Sequence, residues 1–311
     1  MVAARTTIRE LLKRWFAIAS AGWAPTTIRQ TRSVLNRYLL PSLGERIVAN
    51  LTTGDLDELY VELGRAGGVQ GQPLAAGTLA RIHVVLRSAF AHAVRWGWIW
   101  DNPAERAHRI VYVAPEIRPP SPWDVQTLLQ HLSEQSPLQH LFVHLAAVTG
   151  ARRAQLLGLR WDDVDLERGR IEFRRGWVEG PDGPVIAPTK TKRSHSVDID
   201  PATVTLLDGL AAGHVGFVFS DDAGVTAWKP NHVTKMFGRA RRGAGLGEFR
   251  LHDLRRFMAT EMLHASIPIV VVSRRLDHRR VSTTLDRYAH AVPGFDRDAC
   301  ATVAALLTPH R

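Results

Sequence analysis

Five short segments in this 311-residue chain hold polar side chains that an ordinary core does not ask for. In order they are Thr149-Gly150-Ala151-Arg152, followed by Arg153 and Gln155; Pro188-Thr189-Lys190-Thr191-Lys192; His252-Asp253-Leu254-Arg255-Arg256; Leu276-Asp277-His278; and Thr284-Leu285-Asp286-Arg287-Tyr288. Arginine presents a planar, always-charged fork of donors that fits an oxyanion in bidentate fashion. Arg152 sits just past Gly150 at a predicted helix start, where backbone N–H groups also face an anion. His252 and Arg255 are three apart, so on a helix they share a face. Lysine is scarce, with only Lys13, Lys190, Lys192, Lys229 and Lys235, and two of these fall in one tripeptide. Guanidiniums, imidazoles and a phenol together would hold an anion and move protons beside it. Taken singly, each has a plainer reading: Arg152 and His278 as surface residues, His252 as a helix cap, Tyr288 as a core tyrosine with its hydroxyl satisfied.

The overall charge agrees with an anionic partner. Lys and Arg number 40 against 30 Asp and Glu, a formal +10. The excess is spread, with 14 basic against 8 acidic residues in positions 1–110 and 26 against 22 in the remainder. A polyanion touching both halves suits this pattern better than a basic tail. At 45% hydrophobic and 23% charged, the composition is globular, too apolar for disorder. A single cysteine, Cys300, excludes a disulfide framework and a cysteine-rich zinc site. No run approaches the length of a membrane span, and the start, MVAARTTIRELLKRWF, lacks a signal-peptide core. The expectation is a soluble, cytoplasmic protein without membrane partners.

The elements that must position these residues fall into two predicted domains. In residues 1–108 apolar positions recur at helical spacing: Ile8, Leu11, Leu12, Trp15, Phe16 and Ala19, then Ile28, Leu35, Tyr38 and Leu39 after Pro25. Thr52-Thr53-Gly54-Asp55 is a capped start leading into Leu56, Leu59, Tyr60 and Leu63. Gly64 to Gly77 reads as a loop, and a fourth helix spans about 78–96, with Arg81, Arg87 and Arg95 off its apolar face. Trp15, Trp23, Trp96, Trp98 and Trp100 read as core or packing residues. Proline-rich residues 109–120 read as an extended linker. The second domain, 121–311, opens at Ser121-Pro122-Trp123-Asp124, with Ser as N-cap and Pro in the first turn. Helices are predicted at about 138–148 and 151–160. Short strands follow within 164–173 and 185–199, with turns at 167–169 and 181–183, and another lies near Phe217 to Phe219. The fold class is therefore mainly α with a small antiparallel sheet: an N-terminal helical domain plus an α+β domain with a C-terminal tail, 292–311.

Taken in order over nearly the whole chain, these segments resemble the tyrosine recombinase, or phage integrase, family. The Thr-Gly-x-Arg helix, the His-x-x-Arg helix, the Leu-x-His turn and a tyrosine ten residues after that histidine carry the resemblance. The first domain resembles the family's core-binding domain through Pro25-Thr26-Thr27-Ile28-Arg29, Leu51-Thr52-Thr53-Gly54-Asp55-Leu56 and Trp96-Gly97-Trp98-Ile99. The resemblance implies a site-specific DNA recombinase that cleaves and rejoins DNA through a 3′-phosphotyrosine, with no metal, cofactor or ATP. It implies six catalytic residues: Arg152, Lys190, His252, Arg255, His278 and the nucleophile Tyr288. The family places its arginine two residues after the glycine, which selects Arg152 over Arg153. Counting back eight from Asp198 selects Lys190 over Lys192.

The chemistry accounts for those types. Attack on a phosphodiester loads charge onto its nonbridging oxygens, which Arg152 and Arg255 would clamp. Removing one such fixed donor typically costs about 3–4 kcal/mol of transition-state stabilisation. A phenol ionises near pH 10, so Tyr288 needs cations to lower its pKa and His252 to accept its proton. Lys190 would protonate the leaving 5′-oxygen, and His278 would hydrogen-bond the phosphate. The covalent intermediate conserves the bond energy.

Three departures from the family pattern stand out. Gln155 occupies a position where a glutamate commonly braces the arginine. Asp277 replaces the usual glycine before His278, and is expected to tilt that ring or raise its pKa. Asp198 replaces a proline, with little chemical consequence. The implied partners are double-stranded DNA, a homotetramer in the synapse formed from free monomers or dimers, and a directionality factor. The two domains would clamp the duplex, and the tail would dock on its own domain or on a neighbouring protomer. The chain opens directly on the core-binding helices, so no arm-binding domain is expected. The main alternative is a catalytically impaired recombinase-like DNA-binding protein. A metal-dependent nuclease built on Asp162, Asp163 and Asp165 is a further rival, against which these residues read as a solvated turn. The third rival is a type IB topoisomerase.

Overall fold

The computed structural model describes residues 5–108, 119–188, 194–211, 213 and 215–289. Two compact units emerge, one formed by 1–116 with 179–183, the other by 117–178 with 184–311.

The first unit is helical: α1 (Ile8–Ala19), α2 (Pro25–Val34), α3 (Leu40–Leu43), α4 (Thr53–Ala66), α5 (Ala76–Arg95) and α6 (Pro103–Arg106). Two helices begin on reciprocal capping boxes, Thr7 with Glu10 and Thr52 with Asp55. Each box satisfies orphan donors at a helix start and is worth about 1 kcal/mol. Between α2 and α3 the chain winds through one π-helical turn, 35–39, in which Leu40 N–H reaches back to Leu35 C=O. Pro41 explains it. With no N–H and a ring that crowds the carbonyl four residues back, it forces the preceding turn to widen. Ile8, Leu11, Leu12, Trp15, Leu39, Leu56, Ile82, Leu86 and Phe90 close the core. Each such side chain contributes about 1.5–3 kcal/mol on burial. Trp15 is buried there, and Trp23, Trp96 and Trp98 pack on its edge. Trp100 does not: it is 100% exposed, so the expectation of a packing role fails for it. It follows the Gly97 turn, at positive φ, which carries the chain off the helical face.

The second unit opens with α7 (Pro122–Ser133), capped by Ser121 and Asp124 as the sequence predicts. α8 (Pro137–Thr149) and a short α9 (Arg153–Leu157) follow. The latter is only five residues long because Gly158 ends it against the Arg175 carbonyl, where a Cβ would not fit. Five strands come next: β1 (Val164–Asp165), β2 (Arg170–Phe173), β3 (Arg175–Glu179), β4 (Pro184–Pro188) and β5 (His195–Asp198). The sheet order β1-β2-β5 is antiparallel, with Ile171 opposite Val197 and both buried, while β3 and β4 form a separate ribbon. The remaining helices are α10 (Pro201–Ala211), α11 (Pro230–Gly243), α12 (Asp253–His264), α13 (Ile269–Arg275) and α14 (Val281–Tyr288). The predicted strand at 217–219 is instead two isolated bridges, Arg160 to Phe217 and Ser220 to Ala227. Phe219 meets Phe142 edge-on at 4.8 Å in the main core. A smaller cluster under α12 to α14 holds Met258, Ala259, Leu263, Val272, Leu276 and Tyr288.

Candidate active site

Two sharp helix ends build the site. α8 stops at Gly150, which takes the left-handed conformation at φ +63°. Thr149 secures the corner: its hydroxyl donates to Leu145 C=O at 2.5 Å and accepts from Ala151 N–H at 3.1 Å. α13 stops in a Schellman turn, in which Asp277 N–H reaches Arg274 C=O at 2.9 Å and His278 N–H reaches Ser273 C=O at 3.1 Å. Asp277 occupies its left-handed position at φ +50°.

Arg255, in the first turn of α12, lies between these two corners. Its Nη1 donates to Gly150 C=O at 2.5 Å and its Nη2 to Leu276 C=O. Only 5% of the residue is exposed. Burial first, then the nearby Arg152 charge, lower its pKa to about 9, so it stays cationic at neutral pH. Arg152 caps α9, and its backbone N–H donates to Gln155 Oε1 at 2.9 Å. Its guanidinium pairs with the Asp277 carboxylate at 3.0 Å, with a longer 3.4 Å bond to the Asp277 carbonyl. The adjacent Arg153 turns to α11, donating to Thr234 Oγ1 at 2.5 Å. That separates the two neighbouring arginines by geometry.

Both histidines are driven towards the neutral form. His278 Nδ1 lies 2.7 Å from Thr284 Oγ1, and the ring's pKa is lowered to about 4 by burial, then by Arg255, Arg152 and Arg287. Asp277 does push it up, as expected, but is the smallest cause. The expected rise is therefore overturned: desolvation and three cations outweigh one carboxylate already committed to Arg152. His252 precedes α12 and keeps an exposed face, yet crowding by protein atoms and the charges of Arg255 and Arg256 lower its pKa too.

Tyr288 ends α14 with 5% of its surface exposed, in the cluster with Met258 and Leu276. Its hydroxyl pKa is raised, because burial outweighs the pull of Arg255, Arg256 and Arg287. The sequence predicts that the cations win. They do act on this phenol, but the apolar cluster that holds the ring costs the phenolate more than they return. Arg152, His252, Arg255, His278 and Tyr288 thus share one electrostatic neighbourhood. Lys190 lies outside the described residues, as do Lys192 and the tail 292–311; β4 ends at Pro188 and β5 begins at His195, on either side of the lysine segment.

Several contributors escape sequence reasoning. The carbonyls of Gly150 and Leu276 carry no side-chain signal at all. Thr284 reads as a core threonine until its hydroxyl is seen beside His278. His195, stacked on Phe173 and bonded to Arg275 C=O at 2.9 Å, lies close enough to feel Arg152, Arg255 and Asp277. Of the acidic trio, Asp162 is exposed as expected of a solvated turn and Asp165 partly so, but Asp163 is buried. Asp163, with its side chain 1% exposed, holds Arg175 at 2.5 Å and Arg174 at 3.4 Å. Among the described residues no three His, Cys, Asp or Glu gather as a metal site.

Residues 121–293 match the phage integrase family, and residues 8–109 match the phage integrase central domain. The chain belongs to the phage integrase family. It is a site-specific tyrosine recombinase, a DNA strand transferase. Among similar proteins, a tyrosine recombinase XerC-like protein of Caldanaerobacter subterraneus subsp. tengcongensis is 24% identical, covering 96% of this chain and 83% of the relative. The ICEBs1 integrase of Bacillus subtilis is 21% identical over 96% of this chain and 82% of its own length. The fold is similar to that of the Tn1549 transposon integrase in complex with transposon right end DNA, with a TM-score of 0.78, 16% identity and coverage of 97% and 100%. It is also similar to lambda integrase in a tetramer bound to a Holliday junction, with a TM-score of 0.66, 20% identity and coverage of 89% and 79%. No helix among the described residues is long and apolar enough to cross a membrane.

Proposed function

We propose that this recombinase cuts and rejoins duplex DNA with Tyr288 as its nucleophile. The Tyr288 oxygen attacks the scissile phosphorus, and the bond from phosphorus to the 5′-oxygen breaks. A 3′-phosphotyrosine remains on the enzyme. Arg152 and Arg255 neutralise the nonbridging oxygens, where fixed donors act most strongly because they need no reorganisation. His252, neutral at physiological pH, takes the phenolic proton. His278 donates to a phosphate oxygen, and Lys190 protonates the departing 5′-oxygen. Reversal on a second strand's 5′-hydroxyl completes exchange. The raised pKa of Tyr288 makes proton removal part of the attack rather than a step before it.

The observation that carries this reading is the buried Arg255, locked by two backbone carbonyls within electrostatic reach of Tyr288. The two carbonyls and the Asp277 charge offset part of the desolvation of this held cation, and an anionic ligand would offset more. The impaired alternative rested on Asp277 disturbing His278, and the net shift of that ring runs the other way.

Unit one is the DNA-reading domain, with Arg29, Arg81, Arg87 and Arg95 on its exposed helical surfaces. Residues 121–311 are the catalytic domain, and 109–120 join the two. Lambda integrase forms a tetramer on a Holliday junction, and four copies of this chain are taken to act together in the same way, from free monomers or dimers in the cytoplasm. A directionality factor would bias the outcome, and the tail 292–311 would dock between protomers. The test is a suicide DNA substrate that traps the adduct. Wild-type protein should give a covalent band, unaffected by a chelator, and Tyr288→Phe none. A trapped peptide mapping to another residue would overturn the assignment.

A further inference from the structure

The turn that ends α13 grips both guanidiniums at once. Leu276 C=O accepts from Arg255, while the Asp277 carboxylate and carbonyl accept from Arg152. We propose that Asp277 is a positioning residue for DNA cleavage, its carboxylate holding the Arg152 guanidinium in place beside Arg255. This rests on the catalytic reading above and adds a residue to it.

The first argument is conformational. Asp277 sits at the left-handed position of a Schellman turn, at φ +50°, where glycine is at home and a side chain is strained. Aspartate is among the few residues that tolerate it, but still at a cost. A side chain kept at a glycine position needs a use, and the contact with Arg152 at 3.0 Å supplies one.

The second argument is electrostatic. The Arg152 charge lowers the pKa of its neighbour Arg255, whereas Asp277 acts on Arg255 in the opposite sense. The pair is partly dry, with side chains 25% and 14% exposed, so it is screened less than a surface ion pair. No neighbour within the helix start does the same work. Gln155 is neutral, spends its Oε1 on the Arg152 backbone, and leaves its buried Nε2 without a partner.

The third argument is geometric, and it separates a brace from a plug. The turn takes one hydrogen from Nη1 and one from Nη2. Among the described residues nothing else accepts from this guanidinium, so its Nε–H and remaining Nη hydrogens are left for an oxyanion. Asp277 therefore orients the fork without filling it.

Two variants test this on the full chain. Asp277→Asn keeps the size and the tolerance for left-handed φ while removing the charge. Asp277→Gly removes the side chain and relieves the backbone. Single-turnover adduct formation on the suicide substrate, DNA affinity by mobility shift, and thermal melting are measured for both. Adduct formation should slow by roughly 10-fold or more in both variants, the worth of one hydrogen bond between charged groups. DNA affinity should be unchanged or tighter, and the glycine variant should melt no lower than wild type. A merely structural role would lower melting and activity together. Wild-type or faster cleavage by Asp277→Asn would overturn the proposal, the faster rate marking Asp277 as a plug. No adduct from the wild-type protein would overturn the catalytic reading, and this inference with it. Adduct from the wild type that both variants match overturns this inference alone.

Discussion

Thr284→Val isolates one hydroxyl that ties the helix of the proposed nucleophile, Tyr288, to His278, the proposed phosphate donor. Thr284 is fully buried on α14, one turn before Tyr288, and its oxygen lies 2.7 Å from His278 Nδ1. With a pKa of about 4, the His278 ring is neutral at pH 7 and carries one N–H. Its assigned role, donating Nε2–H to a phosphate oxygen, requires Nδ1 to accept from Thr284. Valine has nearly the same shape and no donor. A net hydrogen bond is worth about 0.5–1.5 kcal/mol, and a buried group left unsatisfied costs about 1–3 kcal/mol. Because Thr284 is buried, water does not replace it on the Nδ1 side, so the larger figure applies. At 1.36 kcal/mol per tenfold, adduct formation should slow by about 5- to 150-fold. The assay is single-turnover trapping on a suicide substrate at saturating protein, with DNA affinity measured in parallel and expected to hold. Thr284→Ser restores the donor and should recover most of the rate. A wild-type rate in the valine variant, or a serine variant as slow as the valine one, would refute the tautomer argument.

Three further outcomes follow from the same geometry. Gly150→Ala should lose about 2 kcal/mol, from a left-handed alanine and a Cβ driven into Met258 Cε; in a domain of this size that is a melting shift of about 4–8 °C, readable by scanning fluorimetry. Asp163→Asn should cost about 3 kcal/mol by leaving Arg175 without its buried carboxylate partner, checked by urea titration. The pH dependence has a definite sign. His278 and His252 bind protons more weakly folded than unfolded, so their contribution to stability is complete above pH 6.5 and is lost as pH falls below it, for His278 towards about 4. Adduct formation should likewise lose rate only below pH 6.5, as His252 protonates and can no longer accept the phenolic proton; an acid limb centred above pH 7 would contradict the shifts.

Much of this protein is legible in one dimension because the relevant physics is local. Capping at Thr52 and Ser121, helical spacing through Ile8 to Ala19, and the turns at 167–169 and 181–183 each depend on neighbours a few residues away. The cationic segments are legible too, since side-chain type alone says that arginines bind oxyanions and a phenol can be a nucleophile. What the chain order does not contain is distance between segments. The signs of the Tyr288 and His278 shifts depended on burial set by α12 to α14, not on the cations that a sequence lists. The hold on Arg255 comes from carbonyls at Gly150 and Leu276, 105 and 21 residues away along the chain. The choice between Arg152 and Arg153 falls out of which guanidinium meets the α13 turn and which meets α11. Sequence thus determined the chemical vocabulary and the elements; only packing decided which groups stand together, because electrostatic energy depends on separation and solvent exclusion, and both are properties of the folded chain.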